Sequence, residues 1–147
     1  MSEIIPIASD HAGFHLKQEV INYLNNKNYQ VMDFGCFSDE SVDYPDFAHK
    51  VGSTVNKGIY KKGIVICGSG NGVQMTVNKY PNVRCALCWN EEIASLARQH
   101  NDANIIALPA RFINKDLALK EVELFLTTLF EGGRHQRRVD KINKLVQ

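Results

Sequence analysis

Five short apolar runs, Ile4 to Ser9, Gln30 to Phe34, Gly63 to Cys67, Val83 to Cys88 and Asn104 to Leu108, are separated by segments whose apolar residues recur at helical spacing. The runs lack clean two-residue alternation, as strands covered on both faces do. Between them Leu16, Val20 and Leu24 mark one amphipathic helix, and Ala118, Val122, Phe125 and Leu129 another. Further helices are read over 46–55, 72–79 and 91–100, the last with Ile93, Ala97 and His100 on one stripe. This alternation predicts an α/β chain with a doubly wound, five-stranded parallel sheet and right-handed crossovers. Ligands in that architecture bind outside the carboxyl ends of the strands. The chain of 147 residues is long enough for one such domain, spanning 1–147, and short for two.

The remaining segments connect or close this frame. Residues 35–45 form the longest polar connection, either a mobile lip over a site or an ordinary solvated loop. Gly132-Gly133 is read as ending the long helix after Glu131, and residues 134–147 as a last amphipathic helix. Val139, Ile142 and Val146 cluster on one face of that helix, which needs a cover: a partner subunit or the chain's own sheet. A net charge of +1 gives no general reason to expect nucleic acid or an anionic membrane, and no stretch approaches a membrane span in length. The N-terminus lacks the basic and long apolar regions of a secretory signal, so a cytoplasmic setting is expected. Cys36, Cys67, Cys85 and Cys88 are accordingly expected as reduced thiols. Cys85 and Cys88 have redox or metal-pair spacing, but in a strand residues three apart point to opposite faces, and no second ligand pair accompanies them. Both are read as packing cysteines.

Chemistry concentrates after the third run. Cys67-Gly68-Ser69-Gly70-Asn71-Gly72 places a thiol at the end of a buried strand, followed by a glycine-rich loop opening a helix. The loop is neither Gly-x-Gly-x-x-Gly nor a nucleoside-triphosphate loop, which leaves an anion-binding turn for a phosphate or a developing oxyanion. A thiol near a helix N-terminus has its thiolate favoured and can act as base or nucleophile. Asp10-His11 ends the first run; Asp10 can cap the next helix or share a crevice with His11 and Cys67. His100 is either a satisfied, part-buried histidine or a general acid/base. Arg134 and Arg138, four apart on a helix, project to one side and form a fork suited to a phosphate monoester.

These stretches together resemble the type B ribose-5-phosphate isomerase family, which includes galactose-6-phosphate and allose-6-phosphate isomerases. The resemblance is carried by Ser9 to Phe14, Asp43-Tyr44-Pro45, Cys67 to Gly72, Asn78-Lys79, Arg98 to Asp102 and Glu131 to Gln136. It implies a Rossmann-like three-layer fold and a homodimer whose active sites are built from both subunits, the same dimers being able to pair into a tetramer. It implies a small sugar phosphate as substrate, and no metal or organic cofactor. By resemblance Cys67 is the base moving a proton between C2 and C1, while the backbone of Gly68, Ser69, Gly70, Asn71 and Gly72, with the Ser69 hydroxyl, holds the enediolate. His100 opens the furanose ring, Asp10 and Tyr44 lie near the ring oxygen and hydroxyls, and Asn101 orients the sugar. His11, Arg111, Arg134 and Arg138 form the phosphate clamp.

Three departures from the family's pattern are visible. Val73 stands where some members carry a glutamate base, so that role falls to Cys67. Ser69 replaces a common threonine and keeps the hydroxyl. Trp89, after the fourth run, adds bulk near the sugar pocket, and Arg137 has no assigned role. The expected reaction is interconversion of D-ribose 5-phosphate and D-ribulose 5-phosphate. The alternatives are a hexose-6-phosphate isomerase, a non-catalytic phosphosugar-binding module and, on Cys85 and Cys88, a thiol oxidoreductase.

Overall fold

Apolar residues alternate between two faces along each central strand, and this splits the core into two layers. In the computed structural model, which describes residues 3–146, Ile64 and Ile66 of β3 (Gly63–Cys67) enter one layer while Val65 and Cys67 enter the other. Strand β5 (Ile105–Pro109) divides in the same way, Ile106 and Leu108 against Ile105 and Ala107. With β1 (Ile4–Ser9), β2 (Gln30–Asp33) and β4 (Cys85–Leu87) they form one parallel sheet of order β2-β1-β3-β5-β4. Helices α1 (Phe14–Asn26), α4 (Glu91–Gln99) and α5 (Lys115–Thr127) cover one face through Val20, Leu24, Ala94, Ala97, Ala118, Val122 and Phe125. Helices α2 (Tyr44–Asn56) and α3 (Asn71–Val77) cover the other through Ala48, Val51, Val55, Val73 and Val77. The result is the Rossmann-like α/β sandwich that the sequence predicts. Its winding reverses between β1 and β3, and in such sheets that reversal opens a crevice at the strands' carboxyl ends.

Several boundaries move for identifiable reasons. Strand β4 is shorter than the predicted 83–88 because side chains take over its first backbone groups. Asn104 Oδ1 accepts the Arg84 N–H at 2.7 Å, and the Asn78 amide both accepts from the Cys85 N–H at 2.8 Å and donates to its carbonyl at 3.0 Å. Helix α2 begins two residues early, at Tyr44, with Pro45 in the first turn where a missing N–H costs nothing. Helix α5 stops at Thr127, not after Glu131, because tertiary partners capture the following backbone. Arg98 Nε donates to the Thr128 carbonyl at 3.2 Å, and the Glu131 N–H donates to the Gln99 carbonyl at 3.0 Å. The last helix, α6, spans only Arg134–Lys141; Val139 is half-buried, Ile142 and Val146 are exposed, and the Asn143 amide reaches the Pro81 carbonyl of the same chain. Gln147 of the predicted helix lies outside the described residues.

The connection after β2 is tied down. The Lys17 ammonium, fully buried, sits 2.7 Å from an Asp33 carboxylate oxygen, which also accepts the Gly35 N–H at 2.9 Å. Gly35 and Cys36 exchange backbone bonds with Ser9 at 2.7 and 2.9 Å, and the Val42 N–H donates to His11 Nδ1 at 3.2 Å. This is an anchored loop that delivers Tyr44 to the crevice. No helix among the described residues is long and apolar enough to cross a membrane.

Candidate active site

The crevice between β1 and β3 holds the first group of candidate residues. Cys67, 5% exposed, ends β3, and its carbonyl accepts the Ala110 N–H at 2.9 Å, which keeps the loop beside the end of β5. Gly70 has φ +77, a left-handed turn closed to most side chains, and a Cβ there would strike Leu87. The turn feeds α3, whose first-turn amides have no intrahelical acceptor, and Ser69 Oγ accepts one of them, from Asn71, at 3.3 Å. Gly72 admits the Tyr44 ring, since a Cβ would lie 2.5 Å from two ring carbons. Arg111 lies across Gly68, its Nη1 3.1 Å from where a Cβ would stand.

Asp10 serves both roles its position allows. Its carboxylate accepts the Gly13 N–H at 3.1 Å, supporting the turn into α1, and the side chain also lines the crevice. A cavity of about 490 Å³ is thus walled by Asp10, Tyr44, Cys67, Gly68, Ser69, Gly72, Arg111 and Phe112. His11 follows Asp10 with Nδ1 accepting from the loop, so its neutral ring carries the proton on Nε2.

The second group stands elsewhere on the chain. His100 caps α4, and its ring stacks on His135 with centroids 4.1 Å apart and planes 10° from parallel. Glu131 Oε1 lies 3.8 Å from His100 Nε2 and 3.5 Å from His135 Nε2. Burial, then His100 and the Arg134 guanidinium beside it, hold the His135 imidazole below its ordinary pKa. The turn after His100 is fixed by Arg98, whose Nη1 donates to Asp102 at 2.9 Å and to the Ala103 carbonyl at 2.6 Å. Asn101 lines a separate cavity of about 340 Å³ with Arg84, Cys85 and Asn143. Arg134 and Arg138 are exposed on α6, with no carboxylate paired to either among the described residues. One chain therefore does not bring His100, Asn101, Arg134 or Arg138 to the cavity that holds Cys67.

The two other sequence-flagged thiols point apart, Cys85 into the α2–α3 layer and Cys88 into the opposite one. Burial pushes the Cys85 thiol well up, with Cys88 contributing, and burial and then Glu121 push Cys88 up to about 12. Neither is suited to thiolate chemistry at neutral pH.

The match to known proteins covers nearly the whole chain. The family model described as Ribose/Galactose Isomerase matches residues 5–142. The chain belongs to the ribose/galactose isomerase family. It is 48% identical over 144 residues to a probable ribose-5-phosphate isomerase B of Mycoplasma genitalium, covering 97% of this chain and 95% of that one. A crystal structure of a ribose 5-phosphate isomerase from Thermotoga maritima superposes with a TM-score of 0.95 at 48% identity, covering 99% of this chain and 100% of the other. That of ribose-5-phosphate isomerase B from Mycoplasma genitalium with bound ribulose-5-phosphate gives 0.93 at 46% identity, covering 98% and 96%.

Within this ribose/galactose isomerase fold, sequence reasoning missed Phe112, which walls the cavity while 75% exposed, and the pairing of His135 and Glu131 with His100. Phe112 had a usable signal, its place just past a strand's carboxyl end. The histidine stack had none, because its members come from separate elements.

Proposed function

We propose that this protein is an aldose-ketose isomerase interconverting D-ribose 5-phosphate and D-ribulose 5-phosphate through a cis-enediolate. The observation carrying the proposal is the Cys67 thiol at the wall of a cavity it shares with Asp10, Tyr44, Ser69 and Arg111, in a family of this name. Cys67 removes the C2 proton of the open sugar and returns it to C1, while the hydroxyl proton moves from O2 to O1. No atom is gained or lost. The Ser69 hydroxyl and the amides of Gly68 to Gly72 stand where negative charge develops on the enediolate oxygens. Asp10 and Tyr44 hold the sugar hydroxyls.

His100 opens the furanose by moving a proton at the ring oxygen, and Asn101 orients the chain so released. Both belong to the group remote from Cys67, so the reading requires a homodimer in which each cavity receives these residues from the partner. His11, Arg111, Arg134 and Arg138 hold the phosphate, whose binding energy positions the reacting carbons.

Replacing Cys67 with alanine tests the base. Isomerisation should fall by about 10²–10⁴-fold or more, together with deuterium incorporation at C2 in heavy water; undiminished exchange would remove Cys67 from the mechanism. His100→Ala should lose far more activity on cyclic sugar than on an open-chain analogue, and equal losses on both would count against ring opening. Parallel rates on allose and galactose 6-phosphates measure the preference for the pentose. Saturable sugar-phosphate binding without proton exchange would instead identify a binding module.

A further inference from the structure

Outside the proton-transfer cavity, two imidazoles and a carboxylate converge on one point. The Nε2 atoms of His100 and His135 both face Glu131 Oε1, at 3.8 and 3.5 Å, and the potential ligand atoms of the three residues all lie within 4.8 Å of one another. Two nitrogens and one carboxylate oxygen match the borderline-soft divalent ions of the late first transition row, and suit Mg²⁺ or Ca²⁺ poorly. We propose that His100, Glu131 and His135 form a binding site for a zinc-class divalent ion, and that its occupation inhibits the enzyme by withdrawing His100 from the sugar. The inhibitory clause rests on the ring-opening role proposed for His100.

The spacing is close to what such an ion requires. Bonds of about 2.0–2.2 Å in tetrahedral geometry set neighbouring ligand atoms roughly 3.3–3.5 Å apart. His135 and Glu131 already meet that spacing, the distance from His100 to Glu131 is a few tenths of an ångström beyond it, and the ligand atoms of the two imidazoles lie within 4.8 Å of each other.

The rings themselves must adjust. Planes 10° from parallel run their in-plane lone pairs side by side, and a shared ion requires them to converge. His135, whose side chain is 11% exposed, is the fixed ligand. His100, whose side chain is 40% exposed at the end of α4, is the one able to turn out of the stack. That turn is what couples occupation to inhibition, because an Nε2 bound to the ion can no longer take up or release a proton and the reoriented ring is held away from the sugar. Glu131 is held for its part by the bond from its N–H to the carbonyl of Gln99, the residue before His100, while the His135 N–H bonds to the Gly132 carbonyl at the start of α6.

Chelator-treated full-length protein, in its native assembly, is titrated with Co²⁺ by visible absorption and with Zn²⁺ by calorimetry, beside Glu131→Gln, His135→Asn and Cys67→Ser. We expect one ion per chain, a cobalt spectrum of nitrogen and oxygen ligation, affinity weakened at least about tenfold in Glu131→Gln and His135→Asn, and unchanged affinity in Cys67→Ser. Equal affinity in Glu131→Gln, a sulfur-to-cobalt charge-transfer band, or no saturable binding up to about 100 µM would each overturn the site. Glu131 is half-exposed, so its substitution tests the site even where His135→Asn disturbs packing.

Turnover is then measured against Zn²⁺. Inhibition should track occupation in the wild-type protein and need at least about tenfold more zinc in Glu131→Gln. Equal inhibition in that variant would place the inhibitory ion elsewhere. An occupied site with undiminished turnover would overturn the inhibitory half and leave the metal site standing, while the His100→Ala comparison on cyclic and open-chain sugar decides separately whether the ring-opening role falls.

Discussion

Gly70 is where the backbone leaves little choice of side chain. Its φ of +77 is unfavourable for any L-residue with a Cβ, and the added carbon would press on Leu87 and come within 3.3 Å of the Pro109 nitrogen. Gly70→Ala should cost about 2 kcal/mol or more, read from urea unfolding, and lower turnover because the same loop carries Ser69. Wild-type stability in this variant would mean that the turn relaxes without strain. The chemistry at this loop was legible because Cys67 to Gly72 are consecutive, so one stretch of sequence carries thiol, hydroxyl and turn together. Arg111 was named only through the family resemblance, as part of a phosphate clamp, and neither its place over Gly68 nor the Arg98 to Asp102 brace was legible, since such contacts depend on which loops meet in space.

At the scale of elements, periodicity identified all five strands and both long amphipathic helices, because buried faces impose their spacing directly on the sequence. It failed at the end of α5, where Gly132-Gly133 resembles a cap but hydrogen bonds from Arg98 and to Gln99 unwind the chain at Thr128. It also passed over Glu121, which sits on the same buried stripe as Ala118 and Phe125. That carboxyl is wholly buried with neither oxygen hydrogen-bonded among the described residues, and burial, then the Glu91 carboxylate, push its pKa up from 4.5 to about 8. The folded chain therefore keeps a proton that the unfolded chain releases above about 4.5, so stability falls as pH rises through this window and the loss is complete above about 8. Glu121→Gln lacks that titration. At one protein concentration, its Tm relative to wild type should gain on the order of 5 °C between pH 5 and pH 9; parallel Tm profiles would mean that Glu121 finds a partner when ionised.

For the whole molecule, the central fact is that the candidate residues stand in two separate places on one chain. Cys67, Asp10, Tyr44 and Arg111 face one cavity, whereas His100 stacks on His135 and Asn101 lines another. The order of elements along the chain fixes one sheet and is silent on what a second copy contributes, so only the family resemblance, and no periodicity or spacing, pointed to sites built from two subunits. Phe112 at the cavity wall and Met75 on the adjoining α3 are 75% and 65% exposed, an apolar rim suited to burial against such a copy. If two chains related by a two-fold axis exchange these groups, each functional site takes Cys67 from one subunit and His100 from the other. Cys67→Ala and His100→Ala homodimers are then each inactive on cyclic ribose 5-phosphate, but a mixed dimer has one site lacking both groups and one site with both intact. Equimolar mixing with full subunit exchange makes half the dimers mixed, each with one working site of two, so turnover should return to about a quarter of the wild-type value. Exchange is followed independently by mass spectrometry of isotope-labelled subunits. Recovered activity that rises with the labelled hybrid supports shared sites, whereas complete exchange without recovery would require Cys67 and His100 to act within one chain, across a separation the folded chain does not close.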